Sequence, residues 1–470
     1  MSSISTSSQG FFFVYGYGGT RKTFLWNALI TTIRAKGQIV LAVASSAIAA
    51  TLLPSGRTAH SRFAIPIEIN EDSTCNIKHN SPLANLLRET TLIIWDEAPM
   101  IKRHCIEAFD RSLRDIMFID EPFGGKCVVM GGDFRQILPV ILKGARADIV
   151  NASINSSYLW NSCTIFKLTK NMRLSTALTL ETTAEINQFA NWLLDVGDGN
   201  FSLSNDGMAE IEIPPELLIT KYYNPLEAIV NSTYPDLLQH LSDSKYFNDR
   251  AILAPTIETV NQLNDYMCSL LPGQSVDYFS ADSVPKTEQD NDSIDDLYTT
   301  EFLNTINCSG LPPHKLTLKI GTPVMLLRNI DQASGLCNRT RLRITFLGKH
   351  VLKATTLNGT NANNEVLLHR MDMNPSETKL PFLMQRRQFP IILSFAMIIN
   401  KSQGQSLQHV GLYLPKPVFS YGQLYVALSR VKSRKGLHIL IHDSNQQPRS
   451  STLNVVFKEI FCNLDSKSFS

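Results

Sequence analysis

The sequence FFFVY (residues 11–15) runs directly into Gly16-Tyr17-Gly18-Gly19-Thr20-Arg21-Lys22-Thr23, and residues 24–30 (FLWNALI) are again mostly apolar. This order predicts a strand, a glycine-rich turn and a helix, the setting in which G-x-x-x-x-G-K-[ST] binds nucleotide phosphates. The backbone amides of such a turn surround the phosphates, and the positive end of the helix lies behind them. The stretch therefore predicts an α/β domain built around a phosphate-binding loop.

One position in this loop differs from the pattern, because Arg21 stands where glycine is expected. A side chain there brings a Cβ to a point where backbone and phosphate approach closely, so we expect Arg21→Gly to raise turnover of the bound nucleotide by a large factor. Lys22 is expected to contact the β- and γ-phosphates, and the Thr23 hydroxyl to hold Mg²⁺. The complete set of predicted nucleotide-binding residues is Gly16, Gly18, Gly19, Thr20, Lys22 and Thr23.

Composition limits the class of protein. The 470 residues are enough for two to four domains, and 43% hydrophobic with 18% charged residues is typical of a globular protein. A net charge of +2 excludes a histone-like basic binder but allows a narrow basic groove. The eight cysteines form no C-x-x-C pair, which favours a reduced compartment over a metal or disulfide framework. Residues 38–54 predict a buried strand and helix, and no membrane span is expected.

Alternating strand and helix patterns predict the domain organisation. Residues 1–165 are predicted to form a first domain with a parallel sheet and crossover helices, with residues 60–82 as a small wedge-like excursion. Residues 166–313 and 390–470 are predicted to form a second α/β domain. Between them, residues 314–389 read as short strands separated by Gly and Asn turns, which predicts a small β insertion. Single elements are predicted at 180–196, 224–242 and 418–430 (helices), 251–255 and 391–399 (strands), and 286–296 (a mobile acidic loop).

Two further apolar strands end in polar residues. Residues 91–95 lead into Asp96-Glu97, and residues 127–130 lead into Gly131-Gly132-Asp133-Phe134-Arg135-Gln136. Ligands of such sheets bind at the carboxyl ends of the strands. Asp96 is expected to hold Mg²⁺ and Glu97 to orient and deprotonate the attacking water, whereas the alternative is an acidic helix cap. Gln136 is expected to sense the γ-phosphate, or else to be an ordinary surface amide.

Arg173 and Arg430 are candidate arginine fingers, since a transferring phosphoryl group needs cationic donors. Each alone would be read as a solvated ion-pair partner. The polar turn at residues 400–405 contains Lys401, Ser402, Gln403 and Gly404, whose amides and hydroxyls can hold nucleic-acid phosphates without reading sequence. The alternative is a simple strand-to-helix connection.

Taken together, these motifs resemble the Pif-type (petite integration frequency) DNA helicases, especially the branch related to plant Helitron transposons. The resemblance runs from about Phe11 to Leu440. It rests on residues 12–20 (FFVYGYGGT), 56–63 (GRTAHSRF), 92–100 (LIIWDEAPM), 131–140 (GGDFRQILPV), 324–329 (VMLLRN), 400–405 (NKSQGQ) and 425–432 (YVALSRVK).

The resemblance implies two RecA-like P-loop domains with ATP between them and an SH3-like β insertion in the second. It implies an ATP-dependent DNA helicase that moves 5′-to-3′ on single-stranded DNA, unwinds duplexes, and acts in DNA repair, recombination or telomere maintenance. Single-stranded and forked DNA are the implied partners, with a monomeric state and a nuclear location. Catalytic roles fall to Glu97, Gln136, Arg173 and Arg430, and the DNA track to Thr58, His60, Ser61 and Lys401–Gly404.

The sequence departs from the family pattern at Arg21, at Ala47, at Arg339 within Asn-Arg-Thr (Asn-Gly-Thr is expected), and at Ile398. The family also has an adenine-reading glutamine upstream of the loop, and Gln9 lies too close to the first strand to be assumed equivalent. Two hypotheses therefore stay open: an active helicase, and a transposon-derived DNA-binding remnant with impaired ATP hydrolysis. A small P-loop kinase or GTPase would need neither the second α/β unit nor the paired arginines.

Overall fold

The computed structural model describes residues 10–172, 180–201, 207–285, 298–308, 310–331, 334–357, 363–375, 380 and 382–464. Arg173 and the predicted acidic loop at 286–296 lie outside the described residues. The chain divides into two compact units. The first unit takes its residues from Met1–Lys221, Ser402–Ser406 and Leu412–Ser470, and the second from Tyr222–Lys401 and Leu407–Gly411.

A six-stranded sheet forms the centre of the first unit. Its strand order is β3-β2-β4-β5-β1-β6, and every neighbouring pair is parallel. The elements in chain order are β1 Gly10–Gly16, α1 Lys22–Arg34, β2 Ile39–Ala44, α2 Ala47–Thr51, β3 Arg57–Thr58, α3 Ala59–Phe63, α4 Pro82–Glu89, β4 Thr90–Asp96, α5 Arg103–Met117, β5 Cys127–Gly132, α6 Arg146–Ala152, β6 Cys163–Leu168, α7 Leu180–Asp198 and β7 Met208–Glu212. The predicted α/β fold with a parallel sheet is confirmed.

Apolar side chains cover both faces of this sheet, as a parallel sheet requires. On one face Val14 and Ile94 pack with Trp26 of α1, and on the other Phe13 and Trp95 belong to a separate cluster. A Cβ at Gly131 would lie 2.4 Å from the Trp26 ring, so the close packing of α1 on β5 requires a glycine there. This packing holds the glycine-rich turn at the carboxyl edge of the sheet.

The second unit combines α/β elements with antiparallel sheets. Its elements in chain order are α8 Pro225–Thr233, α9 Ser244–Asn248, β8 Arg250–Ala254, α10 Ile257–Leu270, β9 Val276–Phe279, β10 Ala281–Ser283, α11 Thr300–Thr305, β11 Lys315–Leu318, β12 Pro323–Leu326, β13 Arg341–Leu347, β14 Val351–Thr356, β15 Glu365–His369, β16 Met371–Met373, β17 Gln385–Gln388, β18 Ile391–Leu393 and β19 Ala396–Ile398. Strand β20, His409–Leu414, contains the point where the chain leaves this unit.

The chain then completes the first unit with α12 Gln423–Ser429, β21 Leu437–Ile441, β22 Ser451–Val455 and α13 Glu459–Cys462. Strand β22 pairs antiparallel with β7. Short 3₁₀ turns lie at Ala98–Met100, Pro122–Gly125, Ile154–Ser156, Tyr158–Ser162, Pro215–Leu217, Leu237–Gln239, Ile399–Ser402 and Arg434–Gly436.

The predicted β insertion contains antiparallel sheets, but its strands pair beyond the predicted limits of 314–389. The main sheet has the order β15-β14-β13-β12-β18, and smaller sheets pair β10-β17-β16 and β11-β9. Strands β9, β10 and β18 are therefore neighbours of insertion strands although they lie outside 314–389 in sequence. The SH3-like character of the insertion stays a prediction.

One predicted strand proves to be two. Residues 391–399 were expected to form a single buried strand, but β18 pairs antiparallel with β12 while β19 pairs parallel with β8. The break falls at Ser394 and Phe395, whose carbonyls accept hydrogen bonds from the buried Arg341 and Tyr234 side chains. Arg341 also donates to the carbonyls of Phe247 and Arg250 at 2.9 and 3.0 Å, so it joins β13 to the α/β elements of this unit.

Two predicted helices are shorter than expected. The pattern at 418–430 gives only α12, because Gly422 has φ 67° and begins the helix there. The pattern at 224–242 gives α8 and a 3₁₀ turn, because Pro235 and Asp236 (φ 54°) interrupt it. Within the described residues, no helix has the length and apolar character to cross a membrane.

Candidate functional site

The glycine-rich turn between β1 and α1 is fixed by hydrogen bonds of its own. The Thr20 hydroxyl donates to the Tyr17 carbonyl at 2.9 Å, and the Tyr17 hydroxyl donates to the Thr169 carbonyl at 2.9 Å. A Cβ at Gly16 would lie 2.6 Å from the Thr20 Oγ1, which explains the glycine at that position. Gly19 has φ 104°, and its carbonyl accepts a hydrogen bond from the Met172 amide at 3.0 Å.

Arg21 has the left-handed backbone conformation that glycine adopts readily, with φ 60° and ψ 40°. It lies at the N-terminus of α1, and its side chain is exposed. The preference for glycine at this position thus has a backbone cause in this structure, since left-handed φ strains any residue that carries a Cβ. Lys22, the next residue, donates a hydrogen bond to the Gly16 carbonyl at the start of the turn.

Asp96 and Glu97 lie at the carboxyl end of β4, the strand between β2 and β5. Asp96 is buried, which raises its pKa, and the neighbouring Lys22 charge opposes that rise. Burial and the Asp96 charge raise the pKa of Glu97 to about 7, while Lys22 and Arg430 act in the opposite direction. Two carboxyl groups and two cations therefore influence one another at this edge of the sheet.

The Gly131–Gln136 segment begins with the last two residues of β5, and its polar side chains Asp133 and Gln136 are buried. Asp133 is buried and accepts a hydrogen bond from the Tyr425 hydroxyl at 2.7 Å. Arg135 pairs with Asp198 at 2.7 Å, and its guanidinium lies 5.3 Å from the centre of the Tyr15 ring. These contacts join the segment to α7, to α12 and to β1.

Gln136 is buried and is paired with Gln403. The Gln403 amide nitrogen donates to the Gln136 Oε1 at 3.0 Å, and both side chains are buried. The alternative reading of Gln136 as an ordinary surface amide does not fit this burial. Gln403 is predicted to lie on the DNA track, and the structure bonds it to the predicted γ-phosphate sensor. Its contact with DNA stays a prediction.

Arg430 is buried at the C-terminus of α12. Its guanidinium donates to the carbonyls of Val426 at 2.8 Å and Gln405 at 3.1 Å, and to the Ser429 hydroxyl at 2.9 Å. These bonds fix the side chain on the polar turn that carries Gln403. The alternative reading of Arg430 as a solvated ion-pair partner does not fit these contacts. Arg173, the other candidate finger, stays a prediction because it lies outside the described residues.

The other residues predicted for the DNA track differ in their exposure. Ser61 is exposed, and Thr58 and His60 are partly buried around the start of α3, where burial lowers the pKa of His60. Ser402 is fully buried, which does not suit a direct contact with DNA in this conformation. Gly404 has φ 82°, and Lys401 lies near Arg339 in the second unit.

Sequence reasoning missed the roles of Tyr425, Asp133 and the Arg135–Asp198 pair. The signal available was the position of Asp133 and Arg135 in the same polar segment as Gln136, and of Tyr425 in the same sequence segment as Arg430 (YVALSR, residues 425–430). Neither position identifies a partner, since these contacts join residues far apart in the chain.

Family models match two parts of the chain. A model described as PIF1-like helicase matches residues 1–207, and one described as the 2B domain of DNA helicase Pif1 matches residues 301–347. The first covers the phosphate loop, Asp96-Glu97 and Gln136, and the second overlaps the β insertion. Residues 1–207 are thus similar to PIF1-like helicases, and residues 301–347 are similar to the 2B domain of DNA helicase Pif1. This agrees with the family resemblance found in the sequence, whereas a Helitron-related branch is not resolved by these matches.

Sequence similarity to Pif1 helicases is low but extends over most of this chain. The ATP-dependent DNA helicase Pif1 of Psychrobacter sp. is 24% identical over 477 residues, covering 91% of this chain and 65% of that protein. The ATP-dependent DNA helicase PIF1 of Candida albicans is 25% identical over 502 residues, covering 97% of this chain and 54% of that protein. This chain thus spans about half to two thirds of the length of these relatives.

Solved Pif1 structures share the fold. A crystal structure of Bacteroides Pif1 bound to single-stranded DNA superposes with a TM-score of 0.63 at 23% identity, covering 93% of this chain and 90% of that one. Candida albicans Pif1 gives a TM-score of 0.59 at 22% identity, covering 93% and 92%. At this level of identity the likeness supports the α/β fold with parallel sheets.

Proposed function

We propose that this chain is an ATP-dependent DNA helicase that moves 5′-to-3′ along single-stranded DNA and separates forked duplexes. The observation that carries the proposal is the placement of the candidate charged groups in the first unit. Lys22 begins α1, Asp96 and Glu97 lie at the carboxyl end of β4, and Arg430 is buried at the end of α12. A phosphate-binding lysine, a metal-binding acid, a general base and a finger arginine are the groups that phosphoryl transfer to water requires.

Each residue has a defined task in this proposal. The amides of the turn and the Lys22 ammonium bind the β- and γ-phosphates of ATP. Glu97 accepts a proton from the attacking water, and its raised pKa makes it a stronger base than an ordinary carboxylate. Arg430 stabilises the charge that develops on the transferred phosphoryl group. Arg173 is proposed for the same task from the sequence alone.

Mg²⁺ fits the donors that this site presents. The Asp96 Oδ1 is buried and has no hydrogen-bond partner among the described residues, which suits a carboxylate oxygen that binds a cation. Thr23, at the start of α1, supplies a hydroxyl of the kind that P-loop proteins use for Mg²⁺. The ion would neutralise phosphate charge, and Asp96 and Thr23 would hold it.

Coupling of ATP to DNA is proposed to run through the Gln136–Gln403 hydrogen bond. Gln136 senses the γ-phosphate, and Gln403 follows Lys401 by two residues in the turn proposed to track DNA. Loss of the γ-phosphate would first change the position of the Gln136 side chain. Through the hydrogen bond to Gln403, it would then change the conformation of the turn at residues 400–405. Thr58, His60, Ser61, Lys401 and Gly404 are the proposed DNA contacts.

Several finer assignments belong to this proposal. They are a Helitron-related branch of the family, RecA-like domains at 1–165 and at 166–313 with 390–470, an SH3-like insertion at 314–389, a monomeric state and a nuclear location. They are supported by the sequence resemblance. The names and partners of the relatives support the choice of ATP and DNA.

Steady-state ATP hydrolysis with and without an oligo-dT strand tests the proposed function. We expect hydrolysis that rises with DNA in the unmodified chain, and its loss in Lys22→Ala and Glu97→Gln. DNA binding without nucleotide should persist in both variants, which separates loss of chemistry from loss of folding. Equal hydrolysis in the unmodified chain and Lys22→Ala would refute the proposal.

The DNA-binding remnant is the second candidate, and the left-handed backbone of Arg21 favours it. Under this hypothesis the unmodified chain binds DNA but is as inert toward ATP as Lys22→Ala, and Arg21→Gly restores hydrolysis. The same assay therefore separates the two candidates with one added variant.

A further inference from the structure

We propose that Asp133 and Tyr425 are positioning residues for ATP hydrolysis, because the hydrogen bond between them sets where Arg430 lies. The inference rests on the proposed function, in which Arg430 stabilises the charge on the transferred phosphoryl group. Neither Asp133 nor Tyr425 has a task at the phosphates. Both act through Arg430, whose position depends on how α12 packs against the Gly131–Gln136 segment.

The start of α12 packs directly on the backbone of the Gly131–Gln136 segment. The Tyr421 hydroxyl donates to the Phe134 carbonyl at 2.8 Å, and this tyrosine is buried. Gly422 begins the helix, and a Cβ at this position would lie 2.5 Å from the Arg135 carbonyl oxygen. The helix and the segment are therefore so close that a glycine is required between them.

Tyr425 joins the first turn of α12 to Asp133 in the interior of the first unit. Its hydroxyl donates to the Asp133 Oδ2 at 2.7 Å, and both side chains are buried. A hydrogen bond to a carboxylate is stronger than one between neutral groups. The Tyr425 ring also packs closely against α7, since a Cβ at Gly197 would lie 2.8 Å from the ring Cδ2. Tyr425 is thus held both at its ring and at its hydroxyl.

Both carboxylate oxygens of Asp133 have protein partners, which favours a positioning role over metal binding. The Oδ2 accepts from Tyr425, while the Oδ1 accepts from the Arg135 amide at 3.2 Å and lies 3.5 Å from the Arg135 Nη1. Arg135 is in turn paired with Asp198 of α7. Asp96 differs, because its Oδ1 is buried without a hydrogen-bond partner among the described residues. A buried polar network whose members are satisfied holds its elements in one arrangement.

The other end of α12 leads to the predicted phosphate sensor. Arg430, which follows the helix, donates to the Gln405 carbonyl at 3.1 Å. Gln405 lies in the same turn as Gln403, whose amide donates to Gln136 at 3.0 Å. The segment that carries Gln136 is also the one on which α12 packs, so a continuous series of contacts joins the candidate finger arginine to the predicted sensor. Loss of the bond at the start of α12 therefore shifts Arg430 relative to that sensor.

Steady-state ATP hydrolysis by Tyr425→Phe, with saturating oligo-dT, tests the proposal. This variant keeps the buried ring and removes only the hydroxyl. We expect kcat to fall about tenfold, because a misplaced catalytic group loses part of its effect on the transition state. KM for ATP should stay unchanged, since the lost interaction is one made in the transition state. Asp133→Asn, which weakens the same bond, should show the same division between kcat and KM.

A double-mutant cycle shows whether Tyr425 acts through Arg430. The readout is the affinity for the transition-state analogue ADP–aluminium fluoride, which can be measured even in variants that do not hydrolyse ATP. Tyr425→Phe should weaken this affinity about tenfold and leave the affinity for ADP alone unchanged. In the Arg430→Ala background, Tyr425→Phe should have no further effect, because no finger arginine is left to misplace.

Tyr158→Phe is the matched control. The Tyr158 hydroxyl also donates to a buried carboxylate, that of Asp110, at 2.8 Å, but this bond lies away from α12. The variant removes the same kind of hydrogen bond elsewhere in the first unit. It should leave kcat and the affinity for the analogue unchanged.

Three results would overturn the inference and leave the proposed function intact. The first is an equal kcat in Tyr425→Phe and the unmodified chain. The second is an additive loss of analogue affinity in the double-mutant cycle, which would show that Tyr425 acts independently of Arg430. The third is an equal loss of kcat in Tyr158→Phe, which would assign both losses to lower stability. No ATP hydrolysis by the unmodified chain would refute the proposed function and this inference with it.

Discussion

Arg21→Gly is the most informative single substitution, because the structure gives both the physical reason for its effect and the expected size of that effect. The left-handed conformation at Arg21 (φ 60°, ψ 40°) costs a residue with a Cβ about 1–2 kcal/mol. Glycine escapes this strain but loses about 0.5–1 kcal/mol more conformational entropy on folding. The free energy of unfolding should therefore rise by about 0.5–1 kcal/mol, which raises Tm by about 1–4 °C for a unit of this size.

The size of this backbone strain also sets an upper limit on how much Arg21→Gly can improve ATP hydrolysis. If all of the strain opposes the phosphate-bound form of the loop, its release improves kcat/KM for ATP by about 5- to 30-fold. A larger gain would need a direct clash between the side chain and the phosphates, which the exposed position of Arg21 does not favour. The sequence predicts a large gain in turnover for Arg21→Gly, and the backbone strain limits that gain to the range given above.

Thermal unfolding and DNA-stimulated ATP hydrolysis, measured on the unmodified chain, Arg21→Gly and Arg21→Ala, test this reasoning. Arg21→Ala removes the charge but keeps the Cβ, so it should show neither the rise in Tm nor the gain in kcat/KM. If alanine and glycine give equal gains, the guanidinium and not the backbone is responsible. If glycine leaves both quantities unchanged, the strain argument is wrong.

Three further predictions concern other parts of the molecule. Asp282→Asn should lower the free energy of unfolding by about 3–5 kcal/mol, because it leaves the fully buried Arg386 without its carboxylate; denaturation followed by circular dichroism measures it. Gln403→Leu should abolish the stimulation of ATP hydrolysis by DNA while leaving basal hydrolysis measurable, since it removes the hydrogen bond to Gln136; hydrolysis with and without oligo-dT measures it. DNA affinity should fall as pH rises through about 8, because Lys401 then loses its charge; anisotropy between pH 7 and pH 9 measures it.

Each of these predictions has a matched control in the chain. Asp372→Asn removes the exposed partner of Arg387 and should cost no more than about 1 kcal/mol. A double-mutant cycle with Gln136→Leu should show that the two glutamines act together, and additive effects would contradict their coupling. Lys401→Arg should bind DNA with no pH dependence in this range, since arginine stays charged.

Local sequence patterns were sufficient for the features that lie within one element and its turn. The strand, glycine-rich turn and helix around Lys22 were predicted correctly, and so were the buried strands that lead into Asp96-Glu97 and into the polar segment that ends at Gln136. These features can be predicted because an apolar run followed by polar residues is a pattern of neighbouring residues and depends on no distant part of the chain. A parallel sheet then places all the strand ends at one edge.

Long-range partners could not be read from local patterns. Gln403 is 267 positions from Gln136, and Tyr425 is 292 positions from Asp133. Both pairs depend on how the C-terminal elements return to the first unit. The break at Ser394 was missed for a similar reason, since one apolar run supplies strands to two different sheets.

Unwinding of a forked duplex by the unmodified chain, with ATP and Mg²⁺, is the measurement that tests the central claim most directly. The substrates are two otherwise identical forks, one with a single-stranded 5′ tail for loading and one with a 3′ tail, and Lys22→Ala is the control. We predict strand separation from the 5′-tailed fork alone, and none with Lys22→Ala. Binding of both forks without ATP-dependent separation of either would contradict the account.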